Sequence, residues 1–191
     1  MLNAHSVKRT NTPDGFDFVR NIGQGQRLEA FSISPNGKYL ATTTHDFFVR
    51  LWSIETGVLL AETQSLPGII ECMAWRYDSK FLSLGHIDGN VRILNVPDFS
   101  PFAVIEQSPG RIASVSWAKT TGQIAIGSAD GKITIWALSP NGPRLLNKYR
   151  IQASVTIVTW SPDGTILATG DRSGRISIAK FELNRMMPLR D

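Results

Sequence analysis

Short runs of alternating apolar and polar residues, separated by turn-forming clusters, recur along this 191-residue chain. Thr156-Ile157-Val158-Thr159-Trp160 has the two-residue period of a half-buried strand, and no stretch carries the longer period of an amphipathic helix. Ser161-Pro162-Asp163-Gly164 follows it, and Ser34-Pro35-Asn36-Gly37 stands at the matching place near the start. Both are type I turn sequences, with proline second and glycine fourth. A second strand then ends in small polar residues over Tyr39 to Thr44, Phe81 to His86, Ile124 to Ala129 and Ile166 to Asp171. Asp88-Gly89, Asp130-Gly131 and Ser173-Gly174 come next, as tight hairpin turns that need positive backbone angles. Third strands follow over Val49 to Trp52, Val91 to Leu94, Ile133 to Trp136 and Ile176 to Ala179.

These units form an internal repeat. Ile33, Trp75, Trp117 and Trp160 fall in one column, with steps of 42, 42 and 43 residues. Asp46, Asp88, Asp130 and Ser173 fall in a second, and Trp52, Leu94, Trp136 and Ala179 in a third. Three columns in one register define a four-fold repeat and an all-β fold.

The columns resemble the WD-repeat family over roughly Gln26 to Phe181. The resemblance implies four four-stranded blades of a β-propeller, whose loops form flat faces for partners. The Gly-His pair of the family is absent from all four units, and no Trp-Asp dipeptide survives, Trp52-Ser53 and Trp136-Ala137 standing in its place. The family's Asp-His-Ser/Thr-Trp hydrogen-bond network therefore cannot form in full, and Asp46, Asp88 and Asp130 are expected to bond within their own turns. Glu71 to Arg76 is similar to a blade of the anaphase-promoting complex subunit-four type, over too few residues to carry weight.

The blades are expected at about 26–63, 68–107, 110–150 and 153–183, between a flexible tail at 1–15 and a second tail at 184–191. The fourth repeat shows no outer strand before Phe181, and Phe16 to Ile22 is the candidate to close it. Four blades are fewer than the family's usual seven or so. An open stack leaves apolar blade faces uncovered, which leaves three arrangements: a closed four-bladed ring, a ring completed by a second copy, or a remainder on a longer parent chain or a partner; a partial ring finished by another chain is the expectation.

Composition narrows the function classes. The stretch Met1 to Gly15 lacks a signal-peptide core, and no run approaches about 18 apolar residues, so a membrane is not expected and the protein is assigned to the cytosol or nucleus. A single cysteine, Cys72, excludes an intrachain disulfide and a multi-cysteine zinc cage, and its apolar strand setting points to an inert thiol. The formal charge of +4 is modest, but Arg172, Arg175, Lys180, Arg185 and Arg190 crowd the last segment. That cluster reads either as a solvated face or as a nucleic-acid contact.

Candidate chemistry is sparse. Trp75, Trp117 and Trp160, with Trp52 and Trp136, read as core; burying one such ring contributes at most about 4–6 kcal/mol. His45 and His86 form the only histidine pair worth testing for metal, and the later repeats offer no further ligands at matching places. His86 falls in the column of Thr44 and Ser128 and reads as a turn hydrogen-bonder. Gly23-Gln24-Gly25 lacks the third glycine and the strand-to-helix context of a dinucleotide loop. No catalytic set, metal site or cofactor is expected.

The resemblance implies that partners sit on the face made by the loops before the first strands and the second-to-third-strand turns. On this chain that face holds Arg27 and Glu29, Ile69 and Glu71, Arg111 and Ala113, Ser154 and Thr156, with His45, Ile87, Ala129 and Arg172 beside the turns. Arg27, His45, Arg111 and Arg172 are the candidate partner-binding residues, because arginine is enriched at interface hot spots. Asp46, Asp88, Asp130 and Ser173 are turn residues. The expected function is a non-catalytic scaffold for other proteins, with a nucleic-acid-associated propeller as the alternative.

Overall fold

The alternation and turn chemistry produce strands without a single helix among the described residues. The computed structural model describes residues 21, 22, 25, 27–107, 109–182 and 185–188. Blade one consists of β1 (Leu28–Ile33), β2 (Tyr39–Thr44), β3 (Val49–Ser53) and β4 (Leu59–Glu62). Blade two holds β5 (Ile70–Trp75), β6 (Phe81–His86), β7 (Asn90–Asn95) and β8 (Pro101–Glu106). Blade three holds β9 (Ile112–Trp117), β10 (Gln123–Ser128), β11 (Lys132–Ser139) and β12 (Gly142–Arg150), and blade four β13 (Val155–Trp160), β14 (Ile166–Asp171), β15 (Ile176–Glu182) and β16 (Arg185–Pro188). Each blade is an antiparallel meander in chain order.

The outer strand of blade four comes from the segment Arg185–Pro188, which the sequence reading placed in a tail: it pairs with β15 from Ala179↔Pro188 to Glu182↔Arg185. Asn21 and Ile22 are in no strand, and Phe16 to Arg20 lie outside the described residues. The segment 185–188 carries no alternation, so only its ladder with β15 identifies it as a strand.

Blades stack through their apolar faces. The first strands are innermost, β1 packing on β5, β5 on β9 and β9 on β13, and no comparable packing links blade four back to blade one among the described residues. The sheets therefore form an open arc. Ala41, Val49 and Leu51 meet Ile70, Leu82 and Leu84 in the first interface; Val91 and Ile93 meet Ile112, Val115 and Ile124 in the second; Ile133 and Ile135 meet Val155, Val158 and Leu167 in the third.

The tryptophan column closes these interfaces. Trp75 donates its indole N–H to the Ser32 carbonyl at 3.2 Å, and Trp117 to Ser83 Oγ at 3.1 Å, each reaching into the preceding blade. Trp160 is buried the same way but its Nε1 finds no acceptor. In the third column, Trp52 is buried and donates to Thr42 Oγ1 at 2.9 Å, while the half-buried Trp136 donates to Thr134 Oγ1 at 2.8 Å.

Candidate partner-binding face

At one end of the arc every first strand carries the same irregularity. Leu28 and Ala30 pair with Thr44 and Thr43, which leaves Glu29 opposite nothing, and the matching shifts leave Glu71, Ala113 and Thr156 as the extra residues of β5, β9 and β13. A bulge of this kind re-aims a side chain out of the alternation. Glu29 and Glu71 accordingly turn to the loop face, where they meet the candidate arginines.

The loops join by backbone bonds that repeat in each blade. His45 N–H donates to the Arg27 carbonyl at 3.2 Å, Ile87 to Ile69 at 3.0 Å, Ala129 to Arg111 at 2.9 Å and Arg172 to Ser154 at 2.9 Å. These bonds put the pre-strand loop and the hairpin turn side by side on one face. Arg27 Nε lies 3.5 Å and His45 Nδ1 3.4 Å from the same Glu29 oxygen. Arg111 reaches across a blade boundary to Glu71, at 2.6 Å. Arg172 stands apart from these pairs on blade four, exposed. The structure thus gathers Arg27 with His45 and gives Arg111 a partner forty residues away, which sequence spacing did not reveal.

The turn aspartates bond within their turns and recruit a strand arginine as well. Asp46 accepts from Phe48 N at 3.3 Å and from Arg50 Nη2 at 2.7 Å, and Thr44 also donates to it. The Arg50 hydrogen bond holds the Asp46 carboxyl down at about 2, well below the usual carboxylate range. Arg50 also grips Glu62 at 2.5 Å and lies over the Phe48 ring at 5.4 Å. Asp88 takes Asn90 N at 2.9 Å and Arg92 at 2.8 Å; Asp130 takes Lys132 N at 3.3 Å and the Ser128 hydroxyl. In blade four the acceptor is Asp171, to which Ser173 donates through N at 2.8 Å and Oγ at 2.6 Å.

The hairpin turn of blade one breaks the pattern of the other three. Gly89, Gly131 and Gly174 hold φ near +85°, where a Cβ is unfavourable; at Gly131 it would also run into the Ile151 carbonyl. The corresponding residue of blade one is Phe47, at φ 65°. Ser79 and Phe99 also hold positive φ, but each has a structural reason. Ser79 is buried and its Oγ accepts from Asn36 N at 3.2 Å, and the Phe99 ring is buried in the first interblade core. Phe47 is only half-buried, and its ring lies 6.2 Å from the exposed His45 ring. With Arg27, Glu29, His45, Ile69 and Ile70 it lines a recess of about 220 Å³. The missing glycine was visible in the sequence; the recess was not.

The histidine pair is separated by environment. His45 is exposed against Glu29, whereas His86 is wholly buried and neither of its ring nitrogens makes a hydrogen bond of normal geometry, contrary to the expected turn contact. Among the described residues no three His, Cys, Asp or Glu side chains gather as a metal site. Burial pushes the Cys72 thiol up to about 12.

Comparison with known proteins gives this architecture its family. The chain matches the model of the anaphase-promoting complex subunit 4 WD40 domain over residues 58–120 and 115–188, and that of the WD domain, G-beta repeat, over 19–53. It belongs to the WD-repeat β-propeller family. It is 22% identical to WD repeat-containing protein VIP3 of Arabidopsis thaliana over 176 residues, which is 92% of this chain and 46% of that protein. Over 87 residues it is 33% identical to the ribosome biogenesis protein ERB1 of Debaryomyces hansenii, covering 43% of this chain and 11% of that one. Among solved structures, U3-55K superposes with a TM-score of 0.73 at 17% identity, over 87% of this chain and 52% of that chain. The computationally designed Ika4 protein does so with a TM-score of 0.74 at 20% identity, over 88% and 99%. The chain therefore spans about half the length of VIP3 and of U3-55K.

Proposed function

We propose that the chain is a non-catalytic scaffold that holds a protein partner on its loop face, with Phe47 as the anchor. The observation that carries this reading is the strained, half-buried phenylalanine in a charged-rimmed recess. A bulky residue at positive φ costs about 1–3 kcal/mol and persists where the surroundings enforce it, often at a ligand contact. The Asp46–Arg50–Glu62 clamp supplies that enforcement. An aromatic floor inside a polar rim is also the composition of an interface hot spot. Arg27 and His45 then act as rim residues of the recess, prepaired with Glu29, while Arg111, prepaired with Glu71, and Arg172 extend the face to blades three and four.

Two matches support a setting in a multisubunit assembly, the subunit 4 domain of the anaphase-promoting complex and the ribosome biogenesis protein, and a nuclear or cytosolic location accords with both. A second reading, binding of a nucleic acid, rests on the groove of about 680 Å³ bordered by Arg150, Arg175, Ser173 and Ser177.

The test compares wild type with Phe47→Gly in quantitative affinity capture. Glycine relieves the backbone strain, so Tm holds or rises while the protein partner is lost, with affinity at least about tenfold weaker. An unchanged partner set sinks Phe47 as the anchor. Repeating the capture across a salt series separates the readings, because phosphate contacts lose affinity steeply with salt and a Phe47-centred contact does not.

A further inference from the structure

The boundary between blades three and four is built from smaller side chains than the other two. Each leading face presents matching cross-strand pairs: Leu82↔Leu94 and Leu84↔Arg92 in blade two, Ile124↔Trp136 and Ile126↔Thr134 in blade three, Leu167↔Ala179 and Thr169↔Ser177 in blade four. From blade three to blade four, Ile126 thus gives way to Thr169, Thr134 to Ser177 and Trp136 to Ala179. Between blades two and three the same zone is sealed by Gln107, whose Nε2 donates to the Ile126 carbonyl at 3.4 Å and whose Oε1 accepts from Thr134. Gln107 N–H donates to the Gly89 carbonyl and Ile151 N–H to that of Gly131, so Ile151 holds the equivalent place on blade three without a polar group to do the same. Thr134 is buried; Ser177 is exposed.

The result is a cleft. Its floor is the apolar pocket of about 270 Å³ walled by Ile133, Tyr149, Ile151, Leu167 and Ala179. Through Arg150, Ile151 and Ser177 it runs into the groove of about 680 Å³ that Arg175 also borders. Neither arginine is ion-paired among the described residues. The one carboxylate of that mouth, Asp171, is already engaged by Ser173 and by the Arg175 N–H, so a positive excess remains.

We propose that this cleft is a second docking site, in which a partner protein seats one large apolar side chain, flanked by acidic residues, between blades three and four. The reductions at three positions, tryptophan to alanine the largest, leave room for such a side chain. The two arginines at the mouth select carboxylates beside it. A nucleobase would bring polar edges against Ile133, Ile151 and Leu167, which offer them no hydrogen bond, so the floor favours a protein over a nucleic acid. An apolar anchor within a polar rim is also how interface hot spots are built. Both walls lie inside the arc, so the site does not involve its two ends. It is separate from the Phe47 recess and stands without the loop-face reading.

The experiment is fluorescence anisotropy with the full chain and a labelled peptide, Gly-Asp-Glu-Trp-Glu-Asp-Gly. Saturable binding is expected, weaker by at least about tenfold when the tryptophan of the probe is replaced by alanine. Ala179→Leu fills the floor and is expected to weaken the probe by a similar factor without lowering Tm. Arg175→Glu alters an exposed side chain, leaves the fold intact, and weakens the probe by about three- to tenfold at low salt and less at high salt. If Ala179→Leu does not fold, the alanine probe and Arg175→Glu decide. The inference is overturned by an absence of saturable binding, by equal affinity for the two peptides, or by binding that ignores both substitutions. Single-stranded oligothymidylate that displaces the peptide at lower concentration than the peptide itself overturns it too, and assigns the groove to nucleic acid. Loss of the probe in Phe47→Gly but not in Ala179→Leu places the peptide in the loop-face recess, which sinks the cleft and leaves the scaffold reading standing.

Discussion

His86 stands where blades one and three carry Thr44 and Ser128, small residues whose hydroxyls both serve their turn aspartates. An imidazole in the same slot is wholly enclosed, and burial, aided by the nearby Arg92 charge, lowers its pKa from 6.5 to about 4. The folded state therefore prefers neutral His86, while the unfolded chain protonates near 6.5. Its contribution to stability is complete above pH 6.5 and is lost as pH falls through 4, a loss of about 3 kcal/mol between pH 7 and pH 4. Asp46 acts in a lower window: held at about 2, it gives stability above its ordinary 3.8 that disappears as pH falls toward 2. Urea midpoints at pH 7, 5.5 and 4 check the assignment. His86→Gln flattens the decline between pH 7 and 4, and equal slopes for the two proteins would remove His86 as its cause. The burial of this residue was not legible from its turn-like position, because the exposure of a side chain at a strand end is set by how the blades stack and not by the turn beside it.

Along a single blade, the third column already carried a message that packing makes physical. Trp52, Leu94 and Trp136 give way to Ala179 in β15, and the space their side chains would fill becomes a pocket of about 270 Å³ lined by Ile133, Tyr149, Ile151, Leu167 and Ala179 between blades three and four. Filling an apolar void of this kind commonly gains 0.5–2 kcal/mol. Ala179→Leu is accordingly expected to raise Tm by about 2–6 °C in a thermal melt; a lower Tm would mean that the pocket cannot admit a larger side chain. The strands and turns were legible because alternation and glycine positions are local. The bulges at Glu29, Glu71, Ala113 and Thr156 were not, since a bulge is a property of two strands in register and leaves the one-strand pattern intact.

At the scale of the molecule, three interblade interfaces hold the described blades together, and anything that binds the folded arc and not the unfolded chain adds to its stability by mass action.

The sequence by itself determined the blade: the period, strand alternation, tight turns and buried aromatic columns all follow from residues within one repeat. It also displayed the departures, Phe47 for glycine and Ala179 for tryptophan, as gaps in a column. The tertiary structure alone decided what those gaps do, that Arg111 meets Glu71 of the preceding blade, that Arg185–Pro188 serves as a strand, and that the described blades form an open arc. Each of these depends on groups brought together across strands or blades, and distances between repeats are set by stacking geometry that no single repeat encodes.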